Sequence, residues 1–174
     1  MTDDRSINKL IQNPYPLKYI SIIKTIIVKE RSMLYGTHNI SNPTLAANLA
    51  RTLFQNADRE FLIVASLDNK CKPLSLEIVA IGNINTCIVS PREIFKHAII
   101  SNAANIIIYH NHVSGECSPS NEDIIVTKRL IEAGELLGIP LLDHIIIGDS
   151  RSYLSLREES VVSFSSKDSS YTKE

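Results

Sequence analysis

Two histidines and one aspartate stand close together in this 174-residue sequence, at a spacing that suits a metal ion. His110 and His112 are two positions apart, so on an extended segment their side chains point to the same side. Asp123 falls about one turn into a predicted helix, where its carboxylate can turn back toward the two imidazoles. Two nitrogens and one oxygen are a typical ligand set for catalytic zinc, with water in the fourth position. The spacing therefore predicts a Zn²⁺ site made of His110, His112 and Asp123.

Ser120 has two potential roles beside this site. It lies three residues before Asp123, which is the spacing of a capping box at the start of a helix, and its hydroxyl could also point into the metal site. A Ser-x-x-Asp pattern by itself indicates only a cap. The joint spacing favours a metal site, because it reads His-x-His, seven residues, Ser, two residues, Asp. A contiguous His-Asn-His also differs from the nuclease motif of the same letters, which is spread over a ββα unit.

The elements that position these residues follow from apolar periodicity. The apolar, β-branched run 104–109 predicts a buried strand that leads into the histidines, and the pattern after the loop predicts a helix from Asn121 to near Gly138. A hairpin followed by strands that alternate with helices indicates a mixed sheet with helices on its faces. The other predicted helices cover 43–56 and 91–103, and a capping box of Ser90 and Glu93 opens the second. The other predicted strands cover 61–67, 74–81, 86–89, 141–147 and 152–156. The isoleucine-rich run 19–28 predicts a further strand, with a buried helix as the alternative.

Hydrolysis at such a site also needs a base that takes a proton from the attacking water. Glu116 and Glu122 lie near the ligands, but Glu116 sits in a turn and Glu122 would point away around the helix. Glu60 and Glu77 lie on the two strands of the predicted hairpin, and either could reach the site. The residues alone leave both glutamates open as the base.

Asp143 and His144 are neighbours on a predicted strand, so at most one of them faces the metal site. That residue could support a ligand histidine through a hydrogen bond. A hydrogen-bonded pair at a strand end is the equal alternative, because buried polar groups are normally paired. His38 and His97 fall outside the constellation and are expected to be surface or packing residues.

These residues together resemble a known family. His110-Asn111-His112, Ser114-Gly115, Pro119-Ser120 and Asp123 resemble the JAMM (MPN-type, JAB) metalloprotease motif in the form found in bacterial RadC-like proteins. Further hallmarks of that family are matched by Leu-Asp-His-Ile-Ile-Ile-Gly at 142–148, by Gly82 with Asn85, and by Pro-Arg-Glu at 91–93.

The resemblance covers residues 41 to 158 and has two departures. Val113 stands where the family usually has proline, and Glu116-Cys117 stands where a more proline-rich turn is common. Neither departure touches a predicted ligand, so the expected metal site is retained and only the stiffness of the loop is affected.

The resemblance implies a three-layer α/β/α architecture with a mixed central sheet, the JAMM (cytidine-deaminase-like) fold. It implies a zinc metallopeptidase that hydrolyses a peptide or isopeptide bond with a zinc-activated water. The family's glutamate lies early on the strand after the first helix, and Glu60 matches that position, so Glu60 is the expected base. In this mechanism Ser120 hydrogen-bonds the oxyanion. The implied JAMM domain spans 41–158, between an N-terminal arm and strand (1–40) and a polar tail (159–174) that is expected to be disordered.

The composition limits which cellular compartment and which classes of partner are expected. An apolar content of 44% over 174 residues suffices for one globular domain with its own core. The net charge of −1 gives no electrostatic basis for broad nucleic-acid binding. Cys71, Cys87 and Cys117 are widely spaced, which suggests free thiols in a reducing compartment. No run has the length of a membrane span and no signal-peptide pattern opens the sequence. The expectation is a cytoplasmic protein with a protein or peptide substrate and no membrane contact. The sequence leaves the oligomeric state open, with a homodimer as one option.

Three other functions compete with the peptidase. RadC-like proteins are tied to DNA repair and mobile elements, so the main alternative is a DNA-associated accessory protein that uses the domain as a scaffold. Longer family members carry an N-terminal helix-hairpin-helix region, whereas about forty residues without Gly-rich hairpins precede the matched part here. This weakens a DNA role and suggests the short form of the family. A zinc deaminase needs His-x-Glu and Pro-Cys-x-x-Cys, which this sequence lacks. The third alternative is a metal-binding scaffold without turnover.

Overall fold

The computed structural model describes residues 19–35, 39–55, 57–82, 90–149, 151–164 and 171. These residues form three helices and five strands that alternate along most of the chain. In order, the elements are α1 (Pro43–Arg51), β1 (Phe61–Leu67), β2 (Pro73–Ile81), α2 (Pro91–Ile100), β3 (Asn105–Asn111), α3 (Asn121–Leu137), β4 (Leu141–Ile147) and β5 (Tyr153–Ser155).

The strands form one mixed sheet in the order β2-β1-β3-β4-β5. β1 pairs antiparallel with β2 and β3, β3 pairs parallel with β4, and β4 pairs antiparallel with β5. The turn between β1 and β2 is closed by Asp68, whose carboxylate accepts hydrogen bonds from the backbone N–H groups of Lys70 and Lys72. A parallel pair needs a crossover connection, and α3 supplies it between β3 and β4. The carboxyl end of β3 therefore opens onto the loop that precedes α3.

Helices cover both faces of this sheet. α1 lies on one face, while α2 and α3 lie on the other, so the predicted three-layer α/β/α architecture with a mixed central sheet is confirmed. The core on the α1 face includes Ala46, Ala50, Ile63, Ile107, Tyr109 and Ile145, and the core on the α2–α3 face includes Phe95, Leu130, Leu62, Val64, Ile106 and Ile108.

The helix ends differ from prediction in three places. α1 ends at Arg51 and not near 56, and α2 ends at Ile100 and not at 103. The predicted capping box at the start of α2 is wrong, because Ser90 makes no side-chain cap bond. The Glu93 carboxylate pairs instead with Lys96 one turn later, at 2.6 Å. At α1 the Asn42 side chain caps the Leu45 N–H, and Pro43 occupies the first turn.

The strand predicted over 19–28 is not formed. Residues 19–35 have no regular secondary structure, and Tyr19, Ile20 and Ile22 are almost fully exposed. A strand gains its backbone hydrogen bonds from a neighbour, and none of the described strands pairs with this segment. The arm predicted at 1–16, the strand predicted at 86–89, Asn85, Cys87 and His38 lie outside the described residues.

The described residues of the C-terminal segment, 159–164 and 171, differ from the expected disordered tail. Val162 is buried in a small cluster with Ile146 and Leu156, and Tyr171 is 1% exposed in the core on the α1 face. The Tyr171 hydroxyl donates a hydrogen bond of 2.8 Å to the buried carboxylate of Asp143. Because residues 159–174 are mostly polar, their composition did not predict that Val162 and Tyr171 are buried. In the part of the chain that is described, no helix is long and apolar enough to cross a membrane.

Candidate metal centre

Two elements bring the predicted ligands together. β3 carries His110 near its carboxyl end, and the N–H of His112, just beyond it, still bonds to the Ile147 carbonyl of β4 at 3.1 Å. α3 begins at the N-cap Ser120, and the predicted capping box with Asp123 is present. The Asp123 N–H donates to the Ser120 hydroxyl oxygen at 3.1 Å, and the Ser120 N–H donates to Asp123 Oδ2 at 2.8 Å. The cap thus holds the Asp123 carboxylate over the end of β3.

The three predicted ligands converge on one point. His110 Nε2 lies 2.8 Å from His112 Nε2 and 3.3 Å from Asp123 Oδ1, and His112 Nε2 lies 3.6 Å from Asp123 Oδ2. Tetrahedral zinc with bonds of about 2.0–2.1 Å separates its ligand atoms by about 3.3 Å. Ligand type and spacing therefore both fit a zinc ion. No other cluster of three or more such groups is found among the described residues.

Electrostatics at these residues favour a bound cation. Burial lowers the pKa of His110 to about 4, which keeps its imidazole neutral and able to bind a metal. Burial alone would raise the pKa of Asp123, but the His112 imidazole 3.6 Å away, the electrostatic interaction with His110 and the Ser120 hydrogen bonds hold that pKa well below its usual range. The neighbouring Asp123 carboxylate raises the pKa of His112, against the effect of its partial burial. The carboxylate is thus charged and the His110 ring neutral at physiological pH.

Both histidines of the predicted ligand set have a partner on their second ring nitrogen. His112 Nδ1 donates to the Glu116 carbonyl at 2.7 Å. His110 Nδ1 lies 2.8 Å from His144 Nε2, and His144 Nδ1 lies 2.6 Å from the Thr127 hydroxyl. Of the adjacent pair on β4, only one residue faces the site, in agreement with the predicted limit of one, and it is His144, whereas Asp143 faces the α1 side.

Glu60 lies immediately before β1, beside the three predicted ligands. A pocket of about 260 Å³ is lined by Glu60, Ser120 and the three predicted ligands, with Val113 and Ser114 on its outer side. Glu77, the other predicted base, does not line this pocket. Its carboxylate lies 3.2 Å from His97 Nδ1, between β2 and α2.

The Ser120 hydroxyl serves the cap and the ligand together. It donates a hydrogen bond of 2.6 Å to Asp123 Oδ2 while its oxygen accepts from the Asp123 N–H. Ser120 also borders the pocket.

Asn111 positions Glu60 in a way that the sequence did not reveal. Its side-chain oxygen accepts from the Phe61 N–H at 2.8 Å, and its side-chain nitrogen donates to the Arg59 carbonyl at 3.0 Å. These are the peptide groups on either side of Glu60. One residue of β3, between the two histidines, therefore fixes the backbone of the expected base. Its place between two ligand candidates was the available signal.

The loop between β3 and α3 packs tightly against the end of β4. A Cβ at Gly148 would lie 2.4 Å from the Gly115 carbonyl oxygen and 2.6 Å from Cys117 Sγ, so only glycine fits there. The Asp149 N–H donates to the same Gly115 carbonyl at 3.2 Å. Cys117 contributes to this packing and is not part of the metal-ligand cluster.

Known sequences place this arrangement in a family context. Residues 40–161 match the profile of the RadC-like JAB domain. A UPF0758 protein of Methanosarcina mazei is 48% identical over 123 residues, which are 71% of this chain and 53% of that protein. A UPF0758 protein of Caldanaerobacter subterraneus subsp. tengcongensis is 38% identical over 167 residues, which are 91% of this chain and 71% of that protein. The chain thus spans about half the length of the first relative. The names of these relatives state no activity.

Proposed function

Since the chain belongs to the RadC-like JAB domain family, we propose that it is a zinc metallohydrolase that cleaves a peptide or isopeptide bond. The observation that carries this proposal is the convergence of His110, His112 and Asp123 in a pocket that also contains Glu60. Three protein ligands leave a fourth position for water or substrate, which is the pattern of a catalytic and not of a structural zinc site.

Each residue has a distinct role in this proposal. His110, His112 and Asp123 hold the metal ion. Zinc held by this ligand set supplies a water of lowered pKa, about 7, and polarises a carbonyl oxygen. Glu60 accepts the proton of the attacking water and passes it to the leaving amine. The Ser120 hydroxyl, which donates to Asp123 Oδ2 in the absence of substrate, turns at the pocket wall to donate to the developing oxyanion.

The metal is the first part of the proposal to test. We expect one zinc per chain by elemental analysis of protein purified without chelator or a nickel column, and no stoichiometric zinc in Asp123→Ala. Asp143→Asn is the matched control, because Asp143 is also buried but faces away from the site. Wild-type protein without stoichiometric metal, even after added zinc, would contradict the proposal.

The chemistry is tested separately at Glu60. Glu60→Gln removes the base but keeps the side-chain shape, so turnover of internally quenched peptides or a lysine-linked isopeptide should fall by about 10²–10⁴-fold. Zinc content should not change. Glu77→Gln is the control, since Glu77 lies outside the pocket, and it should keep full turnover.

A zinc-loaded wild type that cleaves none of these probes would favour the scaffold alternative over hydrolysis. In that case, salt-dependent retention on DNA would identify a DNA-associated role, because phosphate contacts weaken as salt rises.

A further inference from the structure

We infer that Thr127 and His144 are positioning residues that set which nitrogen of His110 carries its proton. By doing so they present the unprotonated Nε2 of His110 to the metal ion. The inference rests on the proposed metal site and is independent of any hydrolytic activity.

The directions of these hydrogen bonds are set from a backbone carbonyl oxygen, which can only accept. The Thr127 hydroxyl donates its single hydrogen to the Asp123 carbonyl oxygen, one turn earlier in α3, at 2.6 Å. The same hydroxyl oxygen lies 2.6 Å from His144 Nδ1. With its hydrogen already used, the hydroxyl can only accept in this second contact. His144 Nδ1 therefore carries a hydrogen and donates it.

The direction of the Thr127–His144 hydrogen bond then sets the direction of the bond between His144 and His110. A neutral imidazole has one donor and one acceptor nitrogen, so His144 Nε2 must accept. Its partner, 2.8 Å away, is His110 Nδ1, which must then donate. His110 Nε2 is left without a hydrogen, and this is the atom that faces Asp123 and His112. Because Thr127, His144 and His110 are buried, water does not offer an alternative set of partners.

His112 reaches the same tautomer by a shorter route. Its Nδ1 bonds to the Glu116 carbonyl, which can only accept, so Nδ1 must donate. The two histidines thus present the same nitrogen to the site, one through a backbone carbonyl and the other through two side chains.

Satisfaction of buried polar groups would explain each of these contacts singly. The series as a whole does more, because it starts at the backbone of one predicted ligand, Asp123, and ends on the ring of another, His110. It therefore ties the first turn of α3 to the carboxyl end of β3, through a residue of β4. Second partners of metal-bound histidines commonly orient the ring and fix its tautomer.

The test compares Thr127→Val with Thr127→Ser. Valine keeps the shape of threonine and removes the hydroxyl, whereas serine keeps the hydroxyl. Histidine ring ¹⁵N chemical shifts of the metal-free protein at neutral pH report the tautomer directly. We expect wild type and Thr127→Ser to show His110 protonated at Nδ1, and Thr127→Val to show a mixture of tautomers.

Metal affinity gives the second readout. Zinc affinity, measured by competition with a chelator, should weaken by about 10–100-fold in Thr127→Val and stay close to wild type in Thr127→Ser. The Co²⁺ visible spectrum should change in the valine variant only. Thermal unfolding of the metal-free variants checks that both are folded, and His144→Gln, which retains an acceptor for His110 Nδ1, should bind zinc more tightly than His144→Phe.

Either of two results would overturn the inference. One is a His110 ring protonated at Nε2 in wild type, and the other is a folded Thr127→Val variant with wild-type zinc affinity. Failure of the proposed hydrolysis would look different, because zinc-bound wild type would then lack turnover while tautomer and affinity behaved as described.

Discussion

Two buried aspartates lie on opposite faces of the same sheet and behave in opposite ways. Asp123 lies in the first turn of α3, beside His110 and His112, and its pKa is lowered. Asp143 faces the α1 side, and burial raises its pKa to about 6 although four hydrogen bonds oppose that shift. Both residues are almost inaccessible: Asp123 is 3% exposed and Asp143 is 0% exposed. Burial alone therefore does not decide the role of a carboxylate.

The partners of the two carboxylates explain the difference. Asp143 accepts from the hydroxyls of Ser155 and Tyr171 and from the N–H groups of His144 and Arg157, which are neutral donors. These four bonds occupy its oxygens. Asp123 faces imidazole nitrogens that lie at the distances of a shared metal ion, next to an accessible pocket. A carboxylate whose partners are themselves potential ligands is suited to binding a metal ion, and one enclosed by neutral donors is suited to joining elements of the fold.

Replacing each aspartate by alanine should separate these roles most strongly. Asp143→Ala leaves four buried donors without their acceptor, so the free energy of unfolding should fall by about 3–5 kcal/mol. Asp123→Ala loses the zinc site but only the capping contribution to stability, about 1 kcal/mol. Chemical denaturation in the absence of metal measures both. Equal destabilisation by the two changes would remove the distinction between the faces.

The pH dependence of stability should also distinguish Asp143. Its folded pKa of about 6 lies above the ordinary 3.8, so the folded state binds this proton more tightly than the unfolded state. The resulting stabilisation is fully present below pH 3.8 and is lost as pH rises through about 6. A difference of about 2 pKa units corresponds to about 3 kcal/mol. Asp143→Asn should lack this component, which urea titrations of both proteins across this range would measure.

A substitution at Asn111 tests whether a residue outside the predicted ligand set contributes to the site. Asn111→Ala removes both side-chain bonds to the peptide groups around Glu60. We expect a turnover loss of about 10-fold from the misplaced base, with zinc affinity unchanged. Asn105→Ala is a matched control on the same strand, far from the site. A parallel loss of zinc from Asn111→Ala would mean that the residue supports the ligands and not Glu60.

The smallest expected effect is at Tyr171. Tyr171→Phe removes one of the four donors to Asp143 and keeps the buried ring, so stability should fall by about 1 kcal/mol. Zinc affinity should be unaffected, because the hydroxyl lies on the α1 face. Isothermal titration and thermal unfolding would show whether the C-terminal segment acts on the fold alone.

The sequence predicted those parts of the fold and site that depend on local rules. The i, i+2 spacing of His110 and His112 and the cap at Ser120 are local, and the structure has them where they were expected. The strand that leads into the histidines and the strand at 141–147 could be predicted because buried strands are continuous apolar runs.

Long-range contacts could not be predicted in the same way. Thr127 lies one turn after Asp123, but its partner His144 comes from β4 and is fixed only by the crossover and the strand register. Tyr171 is a single aromatic residue in a polar stretch, so its burial depends on Asp143, which is distant in sequence. The failed strand over 19–28 has the residues of a strand and lacks a neighbour in the described part of the sheet.

The close contact at Gly148 separates the parts of the pocket that can vary from those that cannot. The inner side of the loop is held to β4 through Gly148, Gly115 and the bond from His112 to Ile147. Its outer side presents Val113 and Ser114 to solvent and to the pocket. Substitutions on that outer side would change the surface that the proposed substrate meets, while the backbone that carries His112 stays in place. If the proposed function holds, selectivity can therefore diverge by single substitutions at the pocket rim, with no compensating change at the predicted ligands.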